Sequence, residues 1–137
     1  MGRVLGLDPG TRRIGVAVSD SAGTMAFPRP HLTVDGTEMQ ALAALVEEEW
    51  ISEIVIGRPL SLKGTPTEST IRSDDFATLV SDTLQGVPVL RVDERLTTVT
   101  AQRKLADAGE SVRSSRDRVD SAAAVILLET FLASRRA

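Results

Sequence analysis

The chain contains no cysteine, which excludes disulfides, thiolate metal sites and a cysteine nucleophile. Aromatic residues make up only 3% of its 137 residues, so a core must be assembled from Val, Leu, Ile and Ala. Histidine occurs once, at His31, in a segment that reads as an edge strand, where a lone imidazole is ordinarily a surface residue. No apolar run approaches the length of a membrane span, and the N-terminus enters a strand with no signal-peptide pattern, so a cytoplasmic protein is expected. The net charge of −3 gives no global case for nucleic acid, and any such case must rest on local clusters. What is present is ordinary for a soluble protein: 42% hydrophobic and 26% charged residues. Residues 1–137 are expected to form a single domain with one real core.

The stretch Gly6 to Asp20 organises the rest. Val4 to Asp8 is a short apolar run ending in a carboxylate, Pro9-Gly10 forces a turn, and Ile14 to Val18 is a second, β-branched run. This predicts a hairpin with Asp8 at the end of its first strand, beside Thr11, Arg12 and Arg13. Met25 to Val34 reads as a third strand, confined to an edge by Pro28 and Pro30. A helix follows, with capping-box spacing at Thr37 and Gln40 and a sheet-facing stripe of Met39, Leu42, Leu45, Val46 and Trp50. Its Glu47 to Glu49 run reads as a solvated face. Glu53 to Gly57 is a buried strand, and residues 58–70 a mobile loop. A helix over 71–84 should bury Phe76, Leu79, Val80 and Leu84, and Val87 to Val92 makes a fifth strand. Leu96-Thr97-Thr98 is expected to lead into a third helix through about Ala108, followed by a loose segment over 109–116 and a well-buried last helix from about Asp117. The order β-β-β-α-β-α-β-α-α predicts an α/β fold: one mixed sheet covered on both faces.

Three acids stand out by position: Asp8 ending strand one, Glu94 following strand five, and Asp120 one turn into the last helix. Functional groups of open α/β sheets gather beyond the carboxyl ends of strands. Asp120 shares a face with Ala123, Ala124 and Leu127, and the alanines would let this helix approach the sheet closely. Simpler roles stand beside these. Asp-Pro-Gly is in itself a good turn sequence, and Asp117 with Asp120 complements a helix dipole. Converging carboxylates repel, and a hard divalent cation relieves that; oxygen-only ligands favour Mg²⁺ or Mn²⁺ over zinc. Two such ions roughly 3.5–4 Å apart clamp both oxygens of a phosphodiester displacement. Asp93 is the substitute for Glu94 if the register slips by one. Arg12, Arg13, Arg103, Lys104, Arg116 and Arg118 surround the acids and suit backbone phosphate. Arg135 and Arg136 read as a polar tail. Acids that hold metal, ringed by cations, are what a nuclease needs.

The segments GLDPGTRRIGVAVSD, IGRPLSLKGT (56–65), VDERLTT (92–98) and VDSAAAVILLETFL (119–132) resemble, in order and spacing, the YqgF family, also called RuvX, of Holliday-junction-resolvase-like proteins. The resemblance covers essentially the whole chain. It implies a ribonuclease H-like fold with a five-stranded mixed sheet of order 3-2-1-4-5, and metal-dependent endonuclease chemistry with Asp8, Glu94 and Asp120 as the acids. It further implies a nucleic-acid partner: the small-subunit rRNA precursor (pre-16S rRNA) in ribosome biogenesis, or branched DNA. An RNA-processing nuclease can act as a monomer, whereas a junction resolvase needs two active sites, normally in a homodimer, so monomer and homodimer both stay open. Actin-like sugar kinases also open with an Asp-x-Gly-Thr turn, but that fold needs two lobes and far more chain. A non-catalytic nucleic-acid or transcription-complex binding module is the remaining alternative; it would tolerate loss of Asp8.

Overall fold

The computed structural model describes residues 2–96 and 116–136, with backbone alone for 116–120. Its strands are β1 (Arg3–Pro9), β2 (Arg13–Ser19), β3 (Ala26–Thr33), β4 (Ile51–Arg58) and β5 (Val89–Asp93). Its helices are α1 (Glu38–Glu48), α2 (Glu68–Thr83) and α3 (Arg116–Arg136), with a 3-10 turn at Glu94–Leu96. The strands form one sheet in the order β3-β2-β1-β4-β5. β1 and β2 are antiparallel, with Asp8 opposite Gly15, whereas β1, β4 and β5 run parallel. The mixed sheet, its order and its edge strand β3 are as the sequence implies.

Period-two alternation sorts the central strands between two cores. Leu5, Leu7, Ile14, Val16, Val18, Ile54 and Ile56 face α1 and α2. Val4, Ala17, Val55 and Val92 face α3 through Ala124, Leu127, Leu128 and Leu132. Gly6 makes the second contact close: a Cβ there would stand 3.0 Å from Leu128 Cβ and 3.3 Å from the Ala124 carbonyl oxygen. The missing side chain at Gly6 thus lets α3 lie on β1. No helix among the described residues is long and apolar enough to cross a membrane.

Several local expectations give way. Trp50 does not face the sheet; it is 79% exposed, because α1 stops at Glu48 and Trp50 adopts a left-handed φ of 58°. The Thr37–Gln40 capping box does not form, since Asp35 Oδ1 accepts from the Thr37 amide at 3.0 Å and from its hydroxyl. A capping box forms instead at Thr67 and Thr70, which starts α2 three residues earlier than periodicity suggests. Leu79 is half exposed on the outer face of α2. Glu49 is not merely solvated: Arg3 and Arg29 both bond it, the latter through Nε at 2.6 Å. Residues 59–67 are tied by hydrogen bonds from the Gly64 amide to Ser61 O (2.8 Å), from the Ser61 amide to Thr65 O (3.0 Å), and from Thr70 Oγ1 to Pro59 O. The expectations for a helix over 97–108 and a loose segment over 109–115 lie outside the described residues.

Candidate active site

Parallel pairing puts the carboxyl ends of β1, β4 and β5 side by side. Leu7 pairs with Ile56, Gly57 with Val92 and Arg58 with Asp93, so Asp8 and Glu94 leave the sheet at the same end, one strand apart. The gap between them is bridged over Gly57. A Cβ on this buried glycine would stand 2.9 Å from both Cγ and Cδ of Glu94, and closer still to Oε1. The bare backbone of β4 is therefore the floor on which the Glu94 side chain lies, and it reaches Asp8 with a hydrogen bond.

The electrostatics follow from that placement. Burial above all, then the hydrogen bond to Asp8 and the negative charge of Asp8, pushes the Glu94 carboxyl up to about 9. Asp93 adds to the rise and Arg91 opposes it. At neutral pH Glu94 is thus a protonated acid donating to Asp8. Asp93 does not share this role. Arg95 grips it through Nη2 at 2.6 Å, and the bond holds the Asp93 carboxyl below its usual range. Glu94, not Asp93, is the acid that touches Asp8.

Arg91 is the cation behind the pair. It donates to Asp74 (2.8 Å), Ser73 Oγ (2.6 Å) and the carbonyls of Gly57 (3.2 Å) and Ile56 (3.3 Å). Arg58 bonds the same Asp74 at 3.0 and 3.2 Å and, ahead of Arg91, lowers its pKa. The network locks the end of β4 to α2 and β5, so the Gly57 floor cannot yield easily.

The third predicted acid, Asp120, lies in α3 immediately before Ser121. Arg135, near the far end of α3, is bonded to Glu53 at the start of β4, and Leu132 packs with Val4. The helix therefore runs antiparallel to β1 and brings its N-terminal turns to the Asp8 end. Ser121 pins that end: its hydroxyl donates to Arg29 O at 2.7 Å and accepts from the Val16 amide at 3.2 Å. The β2–β3 register shifts between Ile14 and Val16, where this amide turns to the helix. The side chains of Arg116, Arg118 and Asp120, and all of Arg103 and Lys104, lie outside the described side chains. Arg12 and Arg13 are exposed on the β1–β2 turn beside Asp8. His31 is half-buried on β3, two strands from Asp8 and level with it, next to Leu32, which pairs with Ile14. Arg135 and Arg136, anchored to Glu53 and the Gly23 carbonyl, lie at the opposite end of the sheet.

Among the described residues no group of three carboxylates or imidazoles could hold a metal; the described centre is the Asp8–Glu94 pair. Its donors suit a hard cation: oxygen alone, two acids in contact, and one of them pushed towards its protonated form by burial and by the charge of the other. Sequence reasoning missed Gly57, Arg91 and Ser121. Only Gly57 carried a signal, being a lone glycine at the end of an apolar strand, where close approach is the usual reason.

A family model described as RuvX, Holliday junction resolvase, matches residues 2–134. Relatives named "Putative pre-16S rRNA nuclease" are similar along nearly the full chain. The Corynebacterium jeikeium protein is 39% identical, covering 98% of this chain and 88% of its own. The Leifsonia xyli protein is 44% identical, covering 97% and 86%. Among solved structures, Thermus thermophilus RuvC in complex with a Holliday junction substrate superposes with a TM-score of 0.56 at 14% identity, covering 99% of this chain and 96% of that one. Fowlpox virus resolvase with Holliday junction DNA gives 0.59 at 9%, covering 97% and 98%. These two show the shared ribonuclease H-like fold. With the sheet order, the acid at the end of β1 and the full-length match together, the chain belongs to the RuvX (YqgF) family.

Proposed function

We propose that this protein is a divalent-metal-dependent endonuclease that hydrolyses phosphodiester bonds in structured RNA, acting in the cytoplasm on the 5′ end of pre-16S rRNA. One observation carries the reading: two carboxyls from different strands meet and hydrogen-bond at the carboxyl end of a rigid parallel sheet, where burial and the charge of Asp8 push the Glu94 carboxyl well above its usual range. Asp8 and Glu94, with Asp120 from α3, would hold Mg²⁺ or Mn²⁺, as two ions if both oxygens of the displacement are to be clamped.

A bound ion supplies Lewis-acid polarisation of the phosphate and a nucleophilic water. The chain's residues do the rest. Asp8 is fixed by its strand and the Pro9-Gly10 turn. To serve as a ligand Glu94 would have to lose its proton to solvent, and the nearby charge of Arg91 would favour the carboxylate that remains. Arg12, Arg13, Arg103, Lys104, Arg116 and Arg118 take backbone phosphates, so affinity should fall with salt and depend weakly on sequence.

The relatives' names favour pre-16S rRNA, while the family description favours four-way DNA junctions. A junction would need two of these sites in a two-fold dimer; the RNA needs one. The deciding test is cleavage of a pre-16S rRNA fragment and a four-way DNA junction, side by side, with Mn²⁺, Mg²⁺ or chelator. Cleavage of the RNA alone, abolished by chelator, supports the reading. Cleavage of the junction alone moves the substrate to DNA, and cleavage of neither leaves a binding module.

A further inference from the structure

A cavity of about 230 Å³ opens on the side of the β1–β2 turn, against α2, and the acid pair makes no use of it. Pro9 and Gly10 line it, so it begins one residue after Asp8, about 3.8 Å along the chain. Its walls are apolar: Ile14, Val34 and the ring of Phe76. Its rim is polar: Thr11, Glu38 and Arg72. Arg72 and Phe76 are one helical turn apart on α2 and so face the cavity together.

The charges around it are unevenly satisfied. Most cations of the described residues are engaged: Arg3 and Arg29 with Glu49, Arg58 and Arg91 with Asp74, Arg95 with Asp93, Arg135 with Glu53. Among the described residues Arg12, Lys63 and Arg72 make no such pair, and all three lie at the Asp8 end of the sheet. Arg72 has Glu68 four residues before it and Asp75 three after, yet pairs with neither. Glu38, on the cavity rim, has Oε1 occupied by the amides of Asp35 (2.8 Å) and Gly36 (2.5 Å).

We propose that this cavity holds one unpaired nucleotide of the nucleic-acid strand adjoining the scissile bond. Its base lies against Phe76 and Val34, its polar edge faces Thr11 and Glu38, and its phosphate meets Arg72. The proposal rests on the nuclease reading. The size fits one unit: the cavity is smaller than the roughly 300–1,000 Å³ of whole-ligand pockets. The chemistry fits too, because splayed-out bases are held by an aromatic face and hydrogen bonds to their edges, with a cation on the phosphate. A stacked, paired strand would leave the cavity empty. The enzyme would therefore select sites where a base is already unpaired.

The test is NMR titration of the full chain in EDTA with adenosine 5′-monophosphate, uridine 5′-monophosphate, ribose 5-phosphate and inorganic phosphate. The mononucleotides should shift the Gly10 and Thr11 amides and the Phe76 ring, binding at least tenfold more tightly than ribose 5-phosphate. Arg72→Glu should abolish the shifts and Arg72→Lys keep part of them. Phe76→Leu, which preserves an apolar core contact, should weaken binding about tenfold. A duplex with one unpaired nucleotide should bind more tightly than a fully paired one, and Phe76→Leu should erase the difference. Equal binding of phosphate and mononucleotide, shifts elsewhere, or indifference to both Arg72→Glu and Phe76→Leu would overturn the proposal. So would equal binding of the two duplexes, which would leave only a site for free mononucleotides. Cleavage measured on the same preparations separates the two claims. A cutting enzyme with an empty cavity ends this proposal alone; an occupied cavity in a protein that cuts nothing ends the nuclease reading alone.

Discussion

Gly57→Ala puts the geometry of the acid pair to a quantitative test. The new methyl would stand 2.9 Å from Cγ and Cδ of Glu94, whereas carbon atoms rest at about 3.5–4.0 Å. The carboxyl must therefore retreat by roughly 0.6–1.1 Å. The backbone cannot absorb this, because the Gly57 carbonyl is held by Ser73 and Arg91 and the residue is paired with Val92. A misplacement near 1 Å costs on the order of 10²-fold in rate, or about 2.7 kcal/mol of barrier. Overpacking costs about 1–3 kcal/mol of stability, partly offset by about 0.4–1 kcal/mol from the stiffer unfolded chain. The assays are single-turnover cleavage and urea unfolding of wild type, Gly57→Ala, Glu94→Ala and the double variant. With Glu94 truncated the methyl has nothing to strike, so Gly57→Ala should then be neutral or stabilising. Equal destabilisation in both backgrounds, or full activity in Gly57→Ala, would refute the claim that Gly57 is the floor for Glu94.

Further outcomes follow from the same geometry. The Glu94 carboxyl is raised from 4.5 to about 9, so its proton favours the folded state. That contribution to metal-free stability is complete below pH 4.5 and is lost as pH rises towards 9, and Glu94→Gln should flatten the profile measured by urea unfolding in EDTA. Metal must displace that proton, so calorimetry in buffers of different ionisation enthalpy should show proton release on Mn²⁺ binding and affinity that climbs with pH over the same window. Ser121→Ala leaves the Val16 amide and Arg29 carbonyl without their hydroxyl and should cost about 1–3 kcal/mol, read as a urea midpoint shift; no change would mean that the hydroxyl does not pin α3.

The sheet and the first acid were legible because their signals are local. An apolar run that stops at Asp8 before Pro-Gly can only be a strand end and a turn. The Asp8–Glu94 contact was half legible: both positions stood at strand ends, but Asp93 and Glu94 differ by one residue, and only the Arg95 bond to Asp93 tells them apart. Gly57 was invisible as a site residue because its role is an absent side chain, felt only when β5 lies beside β4. Trp50 misled because it continues the i+4 spacing from Val46, and nothing in Glu47 to Glu49 announces a helix end. The α2 cap was overlooked because its third residue is Thr70, not the Glu or Gln of the familiar pattern. Arg72 gave no signal either; a lone arginine on a helix becomes informative only once its neighbours are seen not to pair with it.

The most direct measurement is cleavage by Asp8→Asn beside wild type, on the rRNA fragment and the DNA junction with Mn²⁺, with binding and thermal melting followed in the same samples. Asn keeps the shape at the end of β1 and removes the charge that would hold metal. The account predicts a folded variant that binds nucleic acid through its arginines, gains no thermal stability from Mn²⁺ and loses cleavage by orders of magnitude. An Asp8→Asn protein that cuts as wild type does, or that melts higher in Mn²⁺ to the same extent, would contradict it.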